Sequence, residues 1–337
     1  MKRRIPTEWY FLLWGVLLFV GVFLANQLLN RYLLYILVLM GIYSIATVSL
    51  NLTNGYAGLF SLGHAAFMAI GAYTSTLLTF PLALREAYDL PMLPAFLGGP
   101  DAVWPFFPAL CMGGLLSSLA ALLIGAPVLR LRGHYLSVAS LGFVVIVTTF
   151  AKTLKSITRG PMGISAIPSY TNIYWTYLWL FITVYVVWRL VNSRFGRAIM
   201  ALREDETAAQ VLGIYPMKYK LFSFVVGAFF AGVAGGLYAH FTKAIRPFEF
   251  SFFLTFQIVV MLILGGMGTI GGPIVGAVSL LALRYALKPL EEHFKIYGLI
   301  EIIYAVLLIV VMLFKPEGLV GRKKGTRRVL LGGKSHG

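Results

Sequence analysis

Charged side chains are scarce in this 337-residue sequence. Asp, Glu, Lys and Arg together make up 12% of the residues, whereas hydrophobic residues make up 59% and the mean hydropathy is +0.84. Soluble domains carry about 25% charged residues and about 45–50% apolar ones. A soluble fold could not bury this much apolar surface, so the composition predicts a protein dissolved in a lipid bilayer.

Acidic residues and cysteine are rarer still. The chain has 12 Asp and Glu residues against 28 Lys and Arg, and few carboxylates fall within its apolar runs. Ion-coupled carriers use intramembrane carboxylates, so their scarcity favours an external energy source. The single cysteine, Cys111, excludes an intramolecular disulfide. No catalytic triad and no metal-ligand grouping is recognisable, so we expect no catalysis, no metal and no cofactor held by this chain.

Apolar segments long enough to enter a bilayer recur along the whole chain, since about 20 apolar residues cross its hydrocarbon core. They are residues 9–28, 32–51, 56–80, 104–128, 135–151, 174–191, 221–241, 250–290 and 297–314. The segment 250–290 contains glycine clusters and is either one long tilted helix or two short spans. These segments predict an all-α polytopic membrane protein with eight to ten membrane-entering helices.

Basic residues indicate the orientation. They concentrate at the N-terminus, in 189–220 and after residue 314, which predicts that both termini are cytoplasmic. Nucleic-acid binding, the other common cause of a net charge of +16, is the weaker interpretation. We therefore divide the chain into a transmembrane domain over 1–315, with a cytoplasmic loop over 192–220, and a basic cytoplasmic tail over 316–337.

Two segments interrupt the apolar runs with glycine and polar residues, one over 51–64 and one over 265–272. Irregular backbone at membrane depth is tolerated where protein or a water-filled cavity satisfies its polar groups. Broken helices therefore indicate a translocation path in many transporters, although ordinary loops between spans would also contain turn-forming glycines. The candidate path residues are Asn51, Asn54, Gly55, Ser61, His64, Gln257, Gly265 and Gly268. For His64, a packing or hydrogen-bonding role is favoured over a proton relay.

Small residues recur at four-residue spacing within the apolar segment 221–241. Gly227, Ala231 and Gly235 form one stripe, beside Ala228, Gly232 and Gly236. Such stripes let helix backbones approach closely in lipid, so they predict a compact multi-helix bundle.

The loop 192–220 is the one substantial polar segment between well-separated spans. Three successive acidic residues suit the start of a helix, and Gly213 suits its end, so we predict a short helix over 203–213. Its apolar face would consist of Leu202, Ala209 and Leu212. An amphipathic helix of this kind suits docking into another protein, and a position at the lipid headgroups is the alternative.

Five blocks of sequence, in order, resemble the branched-chain amino acid ABC permease family of the Liv type. They are residues 50–67, 129–135, 160–164 (Gly-Pro-Met-Gly-Ile), 193–214 and 264–273 (Leu-Gly-Gly-Met-Gly-Thr-Ile-Gly-Gly-Pro). In the family the fourth block is the loop that contacts the ATPase. Here Glu206 is followed by Thr207 before the two alanines, a small departure from the Glu-Ala-Ala…Gly pattern of ABC importers.

The resemblance implies a subunit of an ATP-driven importer in the cell inner membrane. The implied partners are a second, homologous permease subunit, two cytosolic ATPase subunits that use the ATP, and a periplasmic substrate-binding protein. The implied cargo is leucine, isoleucine and valine, with urea or short amides as the main alternative and an ion-coupled carrier as a more distant one. The implied ATPase-coupling residues are Arg203, Glu204, Asp205, Glu206, Ala208, Ala209 and Gly213.

Overall fold

The structure, a computed structural model, describes residues 7–88, 90–92, 94, 99, 102–131, 133–294, 298–315 and 317–320. Lys2, Arg3, Arg4, Arg132 and most of the predicted basic tail lie outside the described residues. The first half of the chain forms helices α1 (Thr7–Leu28), α2 (Arg31–Leu50), α3 (His64–Thr79), α4 (Leu82–Ala87), α5 (Phe106–Val128), α6 (His134–Thr153) and α7 (Lys155–Thr158). Strand β1 (Ile164–Ser165) follows.

The second half forms α8 (Ile173–Val191), α9 (Arg194–Glu204), α10 (Glu206–Val211), α11 (Pro216–Thr242), strand β2 (Ala244–Ile245), α12 (Phe252–Gly265), α13 (Gly272–Phe294) and α14 (Leu299–Phe314). A π-helical turn (Asn51–Tyr56) continues α2, and 3₁₀ turns cover Gly160–Met162 and Pro247–Phe250. Within the described residues, six helices are long and apolar enough to cross a membrane. The prediction of an all-α polytopic membrane protein is confirmed.

The long helices run between two ends of the bundle. At one, which we call the hairpin end, β1 pairs antiparallel with β2, and the Arg159 guanidinium lies over the ring of Tyr88. At the other, which we call the coupling end, α9 meets the π-helical turn after α2, and the backbone of Leu319 bonds to that of Leu264 at the end of α12. Successive long helices therefore alternate in direction.

The structure decides one open alternative and shifts the start of another predicted span. The segment 250–290, for which one long helix and two short spans were both open, is two helices, α12 and α13; of these, α13 is long and apolar enough to cross a membrane, and α12 is a shorter apolar helix. The span predicted over 56–80 starts only at His64, because the π-helical turn extends α2 to Tyr56 and the chain then turns back. Gly58, at φ +67°, adopts a backbone conformation that side chains disfavour.

Small residues bring α3, α5 and α11 into close backbone contact. A Cβ atom added to Gly71 would meet the backbone of Gly232, and one added to Gly235 would meet the carbonyl of Met68. The two predicted stripes on α11 thus lie at its contacts with neighbouring helices. In lipid this packing replaces the hydrophobic drive that assembles soluble cores.

Gly235→Ala is expected to destabilise the bundle, because the new methyl group would force α3 and α11 apart. Overpacking of this kind costs about 1–3 kcal/mol. Thermal unfolding of the detergent-solubilised protein measures the effect. Gly142→Ala is the matched control, since no atom lies within 4 Å of its added Cβ, and it should unfold at or slightly above the wild-type temperature. Equal unfolding temperatures for the two variants would contradict this account of the α3–α11 contact.

Candidate functional site

The first break, after α2, is held in shape by its own side chains. The Asn54 side chain donates from Nδ2 to the Ser61 carbonyl at 3.1 Å and accepts the Ser61 backbone N–H at Oδ1, also at 3.1 Å. Both residues are buried. This pair of bonds closes the turn between the π-helical segment and α3, and it satisfies backbone groups that the turn leaves without helical partners.

The second break separates α12 from α13. Gly266 and Gly268 have positive φ angles of 115° and 75°, which glycine adopts at little cost. Gly265 lies directly against Gly272 and Gly276, where a side chain would strike the backbone. The glycine cluster therefore lets the chain reverse within a very tight space.

The Asn51 side chain joins the two breaks. Its Nδ2 donates to the carbonyl of Thr269 at 2.7 Å, and its Oδ1 accepts the backbone N–H of Gly268 at 2.8 Å. Asn51 is completely buried. Two irregular segments more than 200 residues apart in the chain are thus one structural unit at the coupling end.

The other predicted path residues lie in different surroundings. His64 is buried and shares a 2.7 Å hydrogen bond with Ser49, the geometry expected for the packing role. Gln257 lies in the second turn of α12, away from the break at the end of that helix, and lines a cavity of about 570 Å³. None of the other seven candidates lines this cavity. Their role in a path stays a prediction.

The polar loop 192–220 contains two helices where one was predicted over 203–213. Arg203 and Glu204 end α9, and Asp205 is extended (φ −153°, ψ 108°). The Asp205 carboxylate accepts the backbone N–H of Ala208 at 2.9 Å and so caps α10. An Asp side chain competes with the helical backbone and favours this capping position, which explains the break.

The end of α10 agrees with the prediction. Gly213 has a φ of 80°, its N–H bonds to the Gln210 carbonyl, and the N–H of Ile214 bonds to the Ala209 carbonyl. These two bonds form a Schellman motif, the usual helix stop at glycine.

The apolar face of the loop differs from the predicted one. Leu202 and Ala209 are buried against the bundle, at 5% and 2% exposure. Leu212 is exposed, together with Val211 and Tyr215, which the sequence interpretation did not include. We call these three side chains the apolar tip; Leu212 is 78% exposed, Val211 84% and Tyr215 76%.

An ion pair fixes the start of α10. The Glu206 carboxylate pairs with the Lys220 ammonium at 2.7 Å and links α10 to α11.

Arg203 connects the loop to the breaks. Its Nη1 donates to the carbonyl of Gly55 in the π-helical turn. A Cβ atom added to Gly268 would meet the Arg203 guanidinium, and one added to Gly58 would meet its aliphatic stem. The last basic residue of α9, one of the implied ATPase-coupling residues, thus reaches both breaks. Only the tertiary fold reveals this contact.

Comparisons with a family model and with individual known proteins point to the same family. Residues 32–314 match the family described as "Branched-chain amino acid transport system / permease component". The chain is 33% identical to the high-affinity branched-chain amino acid transport system permease protein LivM of Salmonella typhimurium, over 83% of this chain and 68% of LivM. It is 27% identical to a probable LivM of Methanocaldococcus jannaschii, over 86% and 93% of the two chains.

A second branch of relatives is more distant. The chain is 24% identical to the high-affinity permease protein LivH of Escherichia coli K12, over 83% of this chain and 91% of LivH. No solved structure matches the chain significantly. The match to the family covers most of the sequence, including both breaks, the coupling-end loop and all the long helices except α1. This chain therefore belongs to the branched-chain amino acid transport permease family.

Proposed function

We propose that this chain is a channel-forming subunit of an ATP-driven importer for branched-chain amino acids in the cell inner membrane. It would work with a second, homologous permease subunit, two cytosolic ATPase subunits and a periplasmic substrate-binding protein. The observation that carries this proposal is the position of α9 and α10. They present an exposed apolar tip on one side and reach both helix breaks through Arg203 on the other.

The coupling end would face the cytoplasm. Arg130, Arg189, Arg194 and Arg197 lie at this end, in keeping with the excess of basic residues in cytoplasmic loops. Lys152, Lys155 and Arg159 lie at the hairpin end and weaken that bias. The hairpin end would then form the outer mouth, where a binding protein delivers cargo.

Force would pass from the ATPase subunits through the loop to the breaks. The apolar tip would occupy a groove in an ATPase subunit, and closure of the ATPase pair would displace α10 and α9 together, because Asp205 links them directly. Arg203 would then shift the π-helical turn and the α12–α13 break, which Asn51 holds as one unit. The channel would thus alternate between two conformations of the breaks. The ATPase subunits can shift the equilibrium between them only as far as their contacts with the loop differ in the two conformations.

The energy source distinguishes this proposal from the carrier alternative. We assign ATP hydrolysis to the partner subunits and no cofactor to this chain. The relatives' names speak of branched-chain amino acids, which favours that cargo over urea or short amides.

Uptake by the reconstituted complex tests the proposal. Proteoliposomes containing both permease subunits and both ATPase subunits should accumulate labelled leucine only with ATP and the binding protein. Omitting the ATPase subunits provides the control. Leucine accumulation by this chain without ATPase subunits or nucleotide would support a carrier instead. Uptake of urea but not of leucine would overturn the assigned cargo.

A further inference from the structure

A cavity of about 570 Å³ extends from the hairpin end toward the middle of the bundle, between α2, α11, α12 and α13. Ligand pockets in proteins typically have volumes of about 300–1,000 Å³. Glu249, just before α12, lies at its outer part, and Gln257 lies in the second turn of that helix. The cavity thus extends along the start of α12, with a carboxyl group at its outer part and an amide group deeper in the bundle.

The cavity contains an acidic and a basic side chain that do not pair with each other. Glu249 lies in the 3₁₀ turn just before α12, and Arg284 lies in the interior of α13. Neither forms an ion pair with any described residue. Tyr43 and Tyr238 each interact electrostatically with both charges. A charge within a membrane helix is costly and usually functional. Two opposite charges held apart leave room for a ligand that carries both.

Two polar atoms in the same cavity lack partners. Glu249 Oε2 and Gln257 Nε2 are buried, and neither bonds to a described residue. Burial raises the pKa of the Glu249 carboxyl above its usual range, and Arg246 nearby opposes that rise without reversing it. Buried polar atoms without partners are rare in folded proteins and call for a water or a ligand.

Most of the remaining wall is apolar or aromatic. This part includes Met68, Leu254, Val260, Phe252, Phe253 and Phe256. Burying a branched aliphatic side chain against such a wall is favourable, because it removes apolar surface from water. A neutral, fully polar molecule such as urea would gain nothing from it.

A second cavity gives access from the hairpin end. It has a volume of about 320 Å³ and shares Tyr43, Tyr238 and Arg284 with the first. Along α13 it continues through Lys288 to Glu291, toward the hairpin end. A polar ligand could therefore reach Arg284 without crossing the aromatic wall.

We propose that the 570 Å³ cavity binds the transported amino acid as a zwitterion, with its ammonium group at Glu249 and its carboxylate at Arg284. The side chain would lie against Phe252 and Phe256, and Gln257 would donate to the carboxylate. This inference rests on the proposed function and adds to it a selective site within the permease itself. The site would reject urea and short amides, since they carry neither charge.

Binding of labelled leucine to the assembled permease–ATPase complex, without binding protein, tests the site. The wild type should bind leucine saturably and discriminate by at least tenfold against leucinamide, which lacks the carboxylate, and 4-methylpentanoate, which lacks the ammonium group. Arg284→Met should weaken leucine binding at least tenfold and lose the discrimination against leucinamide. Glu249→Gln should lose the discrimination against 4-methylpentanoate. A merely misfolded variant would not lose discrimination against one of the two analogues and keep discrimination against the other.

Glu86→Gln and Lys152→Met are the matched controls, because both side chains are exposed at the hairpin end outside this cavity. They should bind leucine as the wild type does. If a complex that transports leucine shows no saturable binding, or if the two cavity variants keep both discriminations, the site is wrong while the proposed function stands. If the wild-type complex does not transport leucine at all, the proposed function itself fails. Competition by urea at leucine-like concentrations would also overturn the site.

Discussion

Arg203→Met is expected to reduce ATP-driven uptake at least tenfold while leaving the ATPase subunits bound. Arg203 makes a direct side-chain hydrogen bond from the α9–α10 loop to the π-helical turn, at the Gly55 carbonyl. A hydrogen bond from a charged group contributes about 1.5–3 kcal/mol, and each 1.4 kcal/mol corresponds to a tenfold change in an equilibrium. Methionine keeps much of the side chain's length but cannot donate. The ATPase subunits should then hydrolyse ATP without moving cargo.

Two further variants sharpen this prediction. Arg203→Lys keeps the positive charge but loses the planar fork of the guanidinium, so its uptake should be intermediate. Arg197→Met is the matched control on the same helix, since Arg197 is exposed and its side chain, among the described residues, bonds to the nearby Asn192 carbonyl. It should transport at nearly the wild-type rate. Wild-type uptake by Arg203→Met would show that Arg203 does not transmit motion from the loop to the breaks. Loss of the ATPase subunits from this variant would show instead that Arg203 contributes to ATPase binding.

The double substitution Val211→Glu and Leu212→Glu is expected to weaken association with the ATPase subunits at least 100-fold. Both side chains are strongly exposed in this chain, at 84% and 78%. In the complex each would bury apolar area worth about 1.5–3 kcal/mol, and the new carboxylates would also lose their water without gaining partners. Co-purification of the ATPase subunits and quantitative binding of the purified components measure the loss.

Met162→Glu is the control for this experiment. Met162 is equally exposed, at 81%, but lies at the hairpin end, away from the proposed ATPase contact. Its complex should assemble normally. If the double variant at the apolar tip also assembles normally, the loop does not dock there, and a position at the lipid headgroups becomes the better explanation.

The sequence predicted the breaks but not their contact. Glycine clusters and asparagines within apolar runs indicate non-helical backbone locally, and both breaks are present where the composition places them. The bonds from Asn51 to Gly268 and Thr269 depend on how α2 packs beside α12 and α13. No local pattern encodes such a contact, so only the tertiary structure could reveal it.

The division of the coupling-end loop could have been predicted more accurately. Three consecutive acidic residues suit a helix start at any of them, and the predicted helix began just before the first, at Arg203. Asp205 is the better capping residue, because its short side chain reaches the N–H three residues later. The exposure of Val211 could not be read from the sequence, because it depends on which face of α10 contacts the bundle.

The cavity charges were overlooked although the sequence carried a signal. Arg284 lies in an otherwise apolar stretch of a predicted span, and a charge at that depth is by default a candidate functional group. Glu249 lies in a short segment between two apolar runs, which resembles an ordinary loop. Its proximity to the same cavity follows from the 3₁₀ turn Pro247–Phe250 before α12. Among the predicted path residues, Gln257 alone lines that cavity.

Labelling of a single cysteine at the apolar tip tests the central claim most directly. In a Cys111→Ala background, Leu212→Cys would present the one thiol of the chain to a membrane-impermeant maleimide. We expect no labelling in intact cells, rapid labelling in inside-out vesicles stripped of the ATPase subunits, and protection when those subunits are added back. Labelling of this position from outside intact cells would place α10 beyond the reach of any cytosolic ATPase and would contradict the account.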